Sequence, residues 1–381
     1  MKSIQSDYEN ILHEMASEFR EVALDLERFP NKISEYLNLE GVKGLSRLMV
    51  PEKYNDSPLT INKQKIYGVN LLERVIALEI LAYGDVGVLL ASPGPSLSGQ
   101  VIMDLGNDEQ QERYYSTILK DDRWTFFAMS EPTKGSDASN IKTNLSKKGD
   151  YYVLNGEKKY IGNGTRGKIG VVFVKSSDGP LGISSILMKS NKKGFNALPL
   201  ETLGLKAAGL SHLHFNEVVI EPKDLLGSHL SPTRRGLWGA IQTFNRMRPG
   251  VAALGLGIAQ ATLDYILDNR SNYTLDENKV IEQYKDDIKM VRALIRTAAV
   301  QLEKDPSNGY MASMAKIKAI ELVEGITEYA LYLFAPHALL THPFLNKWFR
   351  DARGLEFMEG TSNIQKLNVF QSYYNGKISY V

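Results

Sequence analysis

The hydrophobic pattern of this chain changes twice along its 381 residues, and these changes constrain the fold more than any other feature. Up to about residue 121, apolar residues recur at helical spacing. From Trp124 to about Leu226, the chain consists of short β-rich runs separated by Gly, Asn, Ser and Pro. After Gly236, helical patterns return. This order predicts an α+β protein with three domains, at 1–121, 122–235 and 236–381.

Individual elements can be placed within this pattern. We predict strands at 151–154, 169–174, 183–188, 213–215 and 218–220, and helices at 237–269, 279–303, 312–333 and after Gly360. The apolar stretch 69–90 predicts a further helix that is buried on most sides. The run 171–174 lacks the alternation of a half-buried strand, so we expect both of its faces to be buried.

The composition excludes several classes of function. The formal net charge is +1, so we expect neither nucleic acid nor an anionic membrane as a partner. The chain has no cysteine, which excludes thiol catalysis, disulfides and cysteine-ligated metals. His212 and His214 alternate in a predicted strand and therefore share a face. Because no acidic ligand pattern stands near them in the sequence, we predict a surface strand and no metal site.

Two features argue against a membrane or exported protein. The longest apolar run, 251–259, is much shorter than the ~20 residues that span a bilayer. The segment 4–26 is amphipathic and contains acidic residues, unlike a signal or transit peptide. We therefore expect a cytoplasmic protein.

The string 357–365 reads Phe-Met-Glu-Gly-Thr-Ser-Asn-Ile-Gln and carries the first candidate for chemistry. Glu359 stands on a predicted turn before a helix, where Thr361 or Ser362 can cap the exposed N–H groups. Gly360 allows the backbone to bend sharply and a ligand to approach closely. Such a carboxylate is either a proton acceptor in a cleft or an acid stabilised by the dipole of a capped helix.

A second set of motifs lies in the middle of the chain. It comprises Phe-Ala-Met-Ser-Glu-Pro at 127–132, Gly-Ser-Asp at 135–137, Gly-Asp-Tyr-Tyr-Val-Leu-Asn-Gly at 149–156 and Lys-Lys-Tyr-Ile-Gly-Asn-Gly at 158–164. Together with the C-terminal string, these motifs closely resemble the signatures of the acyl-CoA dehydrogenase family of flavoenzymes, in the same order and at similar spacing. The resemblance covers essentially the whole chain. It implies an N-terminal helical domain, a β-barrel-like middle domain and a C-terminal four-helix bundle, assembled as a homotetramer or dimer.

The resemblance also implies FAD as cofactor and assigns roles to individual residues. Glu359 falls at the position of the catalytic base. The positions that contact FAD are Phe127, Met129, Ser130, Tyr160, Gly162, Arg270, Tyr273, Gln283 and Thr361, and those beside the acyl thioester are Ser136, Arg248 and Gly360. In the family, the residue at Ser130 bonds the edge of the flavin ring, and the arginine at Arg270 contacts the FAD diphosphate across a subunit boundary. A capping serine and an exposed helix-end arginine are the alternative interpretations.

Three positions depart from the family pattern. Tyr160 replaces a tryptophan beside the flavin ring, and Gly162 replaces a threonine whose hydroxyl bonds the flavin nitrogen that accepts the hydride. Thr274 replaces a glycine four residues after Arg270. Some members place the base on another helix, where this chain has Met247, so Glu359 is the only candidate for either placement.

These motifs leave three functions open. The first is a dehydrogenase in which Glu359 removes the α-proton of an acyl thioester, FAD takes a hydride, and the electrons pass to a separate acceptor. Within it, Tyr160, Gly162 and the loop 334–338 resemble members that oxidise short polar acyl groups on acyl carrier proteins in polyketide or nonribosomal peptide pathways; an ordinary short-chain acyl-CoA dehydrogenase is the alternative. The second function is an oxygen-using oxidase or hydroxylase of the same fold, and the third is a non-catalytic binding protein.

Overall fold

The structure is a computed structural model that describes residues 2–120, 124–137, 140–179 and 181–378. Its N-terminal part is helical. The elements are α1 (Lys2–Arg28), α2 (Glu40–Arg47), α3 (Leu71–Ala91), α4 (Ser96–Leu105) and α5 (Asp108–Leu119), with a small hairpin of β1 (Leu59–Ile61) and β2 (Gln64–Ile66). Helix α3 is buried along nearly its whole length, as its apolar sequence predicts, because it packs between α1 and a helix from the C-terminal part.

The middle part forms one seven-stranded sheet that curls into a half-barrel. Its strands are β3 (Thr125–Ala128), β4 (Asn144–Lys148), β5 (Tyr151–Ile161), β6 (Ile169–Lys175), β7 (Ile183–Lys189), β8 (Phe195–Pro199) and β9 (Ser211–Ile220). They are ordered β3-β6-β4-β5-β9-β8, and β7 pairs with β6. Strand β6 is buried on both faces from Ile169 to Val174, as its unbroken apolar run predicts. The predicted β-rich middle domain is thus confirmed.

The separate strands predicted at 213–215 and 218–220 are one strand, β9. Phe215 and Val218 both point into the core although they are three residues apart. The strand keeps its pairing with β5 through a register shift, at which Glu217 adopts a φ of 51°. A bulge of this kind inserts an extra residue without ending the ladder, so the polar residues there do not mark a turn.

The C-terminal part is a bundle of long helices, as predicted. It comprises α6 (Gly236–Asn269), α7 (Leu275–Lys304) and α8 (Tyr310–Leu333), followed by the short α9 (Ala338–Thr341), α10 (Pro343–Leu355) and α11 (Ser362–Tyr374). Helix α6 packs against α3, α7 and α8 and so joins the two helical parts. The predicted domain boundary at 121/122 falls on residues outside the described part of the chain.

Helix α6 is also the element that resembles a membrane span. By length and composition, one helix among the described residues, Pro232–Asn269, could cross a membrane, with a mean hydropathy of 1.4 in its most apolar window. However, 78% of that window is buried inside the protein. The bent pair α3 and α4, at 80° to each other, passes the same test only if it is taken as one span. Because core helices of this kind meet the test, the finding is weak evidence for a membrane.

Candidate active site

The loop between α10 and α11 presents Glu359 in an unusual backbone conformation. Its φ is 54°, a value that side chains other than glycine rarely adopt, and Gly360 follows with a φ of 91°. The two successive left-handed residues turn the chain sharply between α10 and α11. The predicted turn before a helix is therefore confirmed. A strained residue of this kind persists only where its surroundings hold it in place.

Two buried side chains from α8 and α11 hold this loop. Lys316 donates hydrogen bonds to the backbone oxygens of Glu356, at 2.9 Å, and of Gly360. Gln365 donates to the backbone oxygen of Glu359 at 2.9 Å and to that of Gly360 at 3.2 Å. Ser313 in turn donates to the side-chain oxygen of Gln365 at 2.9 Å. The conformation of Glu359 is thus fixed by bonds to its own backbone, which leaves the carboxylate available.

The predicted cap of α11 is wrong in its acceptor, which is neither the Thr361 nor the Ser362 hydroxyl. Thr361 occupies the position before the helix but makes no side-chain cap. Instead, the Glu356 carboxylate accepts from the backbone N–H of Ser362 at 2.7 Å and from its hydroxyl at 2.6 Å. A carboxylate from the preceding turn satisfies the exposed N–H better than a hydroxyl does, because the bond is charge-assisted. The Thr361 hydroxyl therefore remains available to a ligand.

The carboxylate of Glu359 is shielded from solvent on one oxygen, and nearby positive charges offset the loss of solvation only in part. The residue as a whole is partly exposed, but its Oε2 is buried and has no hydrogen-bond partner among the described residues. Loss of solvation raises the pKa of Glu359 to about 7, against the opposing charges of Arg248 and Lys316. Burial also lowers the pKa of Lys316 to about 8. A carboxylate that titrates near neutrality is suited to accept a proton from a weak carbon acid.

Arg248 is the cation that supports this carboxylate from α6. Its guanidinium donates to Asn245 at 2.6 Å, while its Nε is buried without a partner. Burial lowers the pKa of Arg248, and the charge of Glu359 opposes that shift. The buried Nε of Arg248 and the buried Oε2 of Glu359 are therefore a donor and an acceptor without partners among the described residues. Such a pair can orient a polar substrate group.

A β-bulge in the middle domain turns Tyr160 outward. The pairing of β5 with β9 shifts register between Lys159 and Ile161, so that Tyr160 is the extra residue, with a φ of 65°. Its side chain is 57% exposed although its neighbour Ile161 is buried. Bulges re-aim side chains next to functional sites. The ring of Tyr160 is therefore exposed, as expected for a platform under a planar ligand, and the ammonium of Lys159 lies 5.4 Å from its centroid.

A buried ion pair fixes the strand ends around Tyr160. Lys158 donates to the backbone oxygen of Met129 at 2.8 Å and to the carboxylate of Glu131 at 3.0 Å. The same carboxylate accepts the backbone N–H groups of residues 142 and 143. Ser130 lies between these anchors, and its backbone oxygen accepts from Lys159 at 2.9 Å. Its hydroxyl has no partner among the described residues, so the alternative role of a capping serine is not supported.

Helix α6 links the middle-domain residues to Glu359. Phe127 of β3 contacts Phe244 edge-on, with ring centroids 6.0 Å apart. Four residues later, on the same face of α6, Arg248 interacts with Glu359. Near Tyr160, Gly162 faces open space, since a Cβ built there would meet only the backbone oxygen of Ala208 at 3.8 Å. Phe127 of the middle domain and the predicted base Glu359 are thus connected through one face of α6.

The remaining predicted FAD residues lie elsewhere. Arg270 follows α6, and at ~1.5 Å per residue it stands about 33 Å along the helix from Arg248. There it bonds Glu277 at 2.9 Å and the backbone oxygen of Leu333 at 3.3 Å. Tyr273 donates to two backbone oxygens of the same turn, and Gln283 is exposed on α7. Within one chain, these three residues and Glu359 do not form one site.

Ser136 is exposed beside a basic cavity in the middle domain. This cavity, of about 610 Å³, is lined among others by Lys134, Lys142 and Lys175. Lys134 pairs with Asp137 at 3.1 Å and Lys175 with Asp178 at 2.7 Å. The lysines therefore provide positive charge to the cavity, partly balanced by two carboxylates.

Sequence reasoning missed the residues that support the site. These are Lys316, Ser313, Gln365, Glu356 and the pair Lys158–Glu131. A lysine between Ala315 and Ile317 in an apolar helix was the available signal, because a buried lysine needs partners. The sequence reasoning also missed an acidic neighbour of the histidine pair: Glu157 of β5 bonds His212 at 2.7 Å.

Comparison with known proteins agrees with this geometry. Family models for the acyl-CoA dehydrogenase N-terminal, middle and C-terminal domains match residues 8–122, 126–218 and 234–374. A short-chain specific mitochondrial acyl-CoA dehydrogenase of Rattus norvegicus is 30% identical over 86% of this chain and 79% of its own. A 3-(aryl)acrylate reductase of Clostridium sporogenes is 28% identical over 89% of both chains. The solved butyryl-CoA dehydrogenase of Megasphaera elsdenii superposes with a TM-score of 0.81 at 23% identity, over 97% of this chain and 98% of its own. This chain belongs to the acyl-CoA dehydrogenase family.

Proposed function

We propose that this protein oxidises a short, polar acyl thioester presented by an acyl carrier protein, with Glu359 as the base that removes the α-proton. As a member of its family, the chain is an FAD-dependent oxidoreductase that acts on the CH–CH group of acyl thioesters. Beyond this family activity, the proposal identifies the catalytic base, the class of acyl group and the carrier that presents it. The observation that supports it most is the buried, unpartnered Oε2 of Glu359.

Glu359 has the properties that α-proton removal requires. The α-hydrogen of a thioester is weakly acidic, so the base needs a proton affinity matched to neutral pH and a site free of water. The pKa of about 7 and the buried oxygen supply both. Arg248 and Lys316 limit the rise of that pKa, so the carboxylate still ionises near neutrality. The loop bonds from Lys316 and Gln365 keep the carboxylate in place during the transfer.

The residues around Tyr160 fit a flavin ring. The Ser130 hydroxyl has no partner among the described residues, the Tyr160 side chain is 57% exposed, and Gly162 faces open space. We infer that Ser130 bonds the ring, that Phe127 and Met129 border it, and that Tyr160 supports its face. Bound FAD supplies the acceptor for the β-hydrogen, which leaves as hydride. Thr361 offers one further hydroxyl from the loop of Glu359.

The second group of FAD residues supports an oligomer. Arg270 lies about 33 Å from Arg248 along α6, beyond the reach of one flavin ring's pocket, and Tyr273 and Gln283 follow it in the chain. We infer that they contact the diphosphate end of an FAD bound by another subunit, in a homotetramer or dimer. Arginine suits this role because its planar fork bonds phosphate oxygens in pairs. The present partner of Arg270, Glu277, would share the guanidinium with the ligand.

Two features favour a short polar acyl group on a phosphopantetheine arm. The open space at Gly162 lies where a hydroxyl or amine on the acyl group can be placed beside the ring. The lysines of the cavity beside Ser136 match the phosphate of the arm, although CoA carries phosphate as well. The similarity to a short-chain specific dehydrogenase agrees with a small acyl group. The same similarity makes an ordinary short-chain acyl-CoA dehydrogenase the second candidate. We further propose that reduced FAD passes its electrons to a separate protein in the cytoplasm.

Anaerobic stopped-flow bleaching of the flavin tests the proposal. A three-carbon hydroxyacyl or aminoacyl group on a carrier protein should reduce the flavin much faster than butyryl-CoA does. Glu359→Gln should retain FAD yet slow the reduction by roughly 10²-fold or more, the effect expected on loss of a positioned base. The exposed Glu328→Gln is the matched control and should reduce normally.

Each part of the proposal has its own contrary result. Near-normal reduction by Glu359→Gln would place the base elsewhere. Faster reduction by butyryl-CoA would assign the chain to short-chain acyl-CoA oxidation. Rapid re-oxidation of the reduced flavin by air, without a protein acceptor, would identify an oxidase. Because a 28% identical relative is an acrylate reductase, the reverse reaction with the unsaturated thioester should be measured as well.

A further inference from the structure

We propose that Glu157, His212 and His214 form a binding site for a divalent transition metal of the Zn²⁺ class on the outer face of the sheet. The proposed site does not depend on the function proposed above. It corrects the sequence-based expectation that the histidine pair has no acidic neighbour.

The pairing of β5 with β9 brings the three residues together. His212 and His214 alternate with the buried Leu213 and Phe215, so both imidazoles point away from the core. In the register of the two strands, Glu157 stands directly opposite His214. Side chains opposite each other in an antiparallel pair are close enough to bind one ligand. The strand backbone therefore positions all three donors on one face.

The donor atoms converge. One ligand atom from each residue lies within 4.8 Å of the others. The His212 Nε2 lies 2.7 Å from the Glu157 Oε2, and the imidazole centroids of His212 and His214 are 4.0 Å apart. Bonds of ~2.0–2.1 Å to Zn²⁺ in a tetrahedral site separate the ligand atoms by about 3.3 Å. Small rotations of the side chains reach that spacing, and the backbone need not move.

The chemistry of the donors selects the metal. Two imidazoles and one carboxylate suit Zn²⁺ and its first-row neighbours, whereas Ca²⁺ and Mg²⁺ require more oxygen ligands. The side chains of Glu157 and His212 are 47% and 20% exposed, so water can complete the coordination. His214 has no hydrogen-bond partner among the described residues, and its ring contacts only that of His212 as an aromatic neighbour.

The surroundings permit a cation. Lys159, opposite His212 in β5, is the charged neighbour on this face. Its ammonium lies over the ring of Tyr160, 5.4 Å from the centroid, and makes no ion pair with Glu157. On the other side, β8 places Asn196 and Leu198 opposite the two histidines. The carboxylate of Glu157 thus has His212 as its partner, and a metal would bind all three ligands in place of that hydrogen bond.

Isothermal titration calorimetry tests the site: ZnCl₂ is titrated into the tag-free holoenzyme after treatment with a chelator. We expect one Zn²⁺ per chain, and at least about tenfold weaker binding in His212→Ala, His214→Ala and Glu157→Gln. Substitution with Co²⁺ should give the intense visible absorption of a four-coordinate ion. The control is His229→Ala, an exposed histidine outside the cluster, which should bind as the wild type does. The chain has no cysteine, so no thiol competes for the metal.

The outcomes are distinct. Saturable binding that His212→Ala and His214→Ala abolish, with unchanged thermal melting of the metal-free variants, supports the site. Absence of saturable binding, or equal binding by wild type and by the His212→Ala/His214→Ala double variant, overturns it. Loss of binding in His229→Ala alone would place the metal elsewhere and would overturn it as well. Flavin reduction is not needed for any of these measurements.

Discussion

At the scale of residues, the candidate site depends on one carboxylate and on the groups that leave it without a partner. The side chains of Lys316 and Gln365 hold the loop of Glu359 by donating to its backbone oxygens. These bonds do not involve the Glu359 carboxylate. The unpaired Oε2 and the loss of solvation raise its pKa. The pKa of the proposed base is thus set by residues that have no proposed role in the reaction itself.

The raised pKa of Glu359 predicts how the reaction depends on pH. A base must be ionised to act, and a carboxyl whose pKa is raised to about 7 is largely protonated below that value. The rate constant for flavin reduction should therefore increase with pH and level off above about 8. Stopped-flow measurements between pH 5.5 and 9 check this. A rate that is flat across that range would contradict the assignment of Glu359.

Lys316→Met should shift this profile to higher pH. The ammonium of Lys316 opposes the rise in the pKa of Glu359, so its removal raises that pKa further. The loop also loses two hydrogen bonds, which should slow reduction at every pH. Lys318→Met is the matched control, because that lysine lies on the same helix but is exposed and paired with Glu321. A lower rate with an unshifted midpoint would limit Lys316 to a structural role.

At the scale of elements, the middle domain relies on buried polar bonds where the sheet meets its loops. The Lys158–Glu131 pair joins β5 to the segment after β3, and both side chains are almost fully buried. Burial lowers the pKa of Lys158 to about 8, while Glu131 opposes that shift. The bulge at Tyr160 lies directly beyond this pair. The orientation of Tyr160, the proposed flavin platform, therefore depends on an ion pair in the core.

Lys158→Met should destabilise the protein markedly. It leaves Glu131 as a buried carboxylate with its two backbone N–H donors but without a counter-charge. Loss of one partner of a buried pair costs about 3–5 kcal/mol. Thermal melting should show a decrease on the order of 10 °C, given 2–4 °C per kcal/mol for large domains. The exposed Lys148→Met should melt as the wild type does, and an equal effect of both substitutions would contradict the prediction.

At the scale of the whole molecule, the C-terminal part exposes several large apolar side chains to solvent. Phe357, Leu340, Phe370 and Tyr374 retain 75%, 84%, 60% and 80% of their accessibility. The rings of Phe370 and Tyr374 stack with centroids 6.4 Å apart, and exposed apolar patches indicate contacts between proteins. Arg270 also lies far from Glu359 along the chain, so its proposed contact with FAD requires a second subunit. Oligomer and cofactor site should therefore depend on each other.

A double substitution in α11, Leu367→Lys with Phe370→Lys, tests this dependence. The two residues are three apart on one helical face and 55% and 60% exposed. We expect light scattering to show a smaller oligomer and absorbance to show less FAD per chain. Leu203→Lys, at a residue that is 83% exposed in the middle domain, is the control. A dissociated variant with full FAD content would show that each chain binds its flavin alone.

The strands β1, β2, β4 and β8 escaped prediction, but the sequence by itself determined the α–β–α order of the chain, the burial of α3 and β6, and the motif that contains Glu359. These features depend on residues close together in the chain, whose periodicity and turn residues are visible directly. The pattern misplaced features that depend on pairing at a distance. It divided β9 in two at a bulge, because polar residues there resemble a turn.

Only the tertiary structure decided which side chains meet. Lys316 lies 43 residues before Glu359, and Glu157 lies 55 residues before His212, so no local pattern indicates either contact. The pKa of Glu359 and the proposed metal site both depend on such contacts, since burial and convergence are properties of packed elements. The length of α6 separated Arg270 from the region of Glu359 in the same way. Residue types specify the chemistry that is available, and the packing of distant segments decides where it can occur.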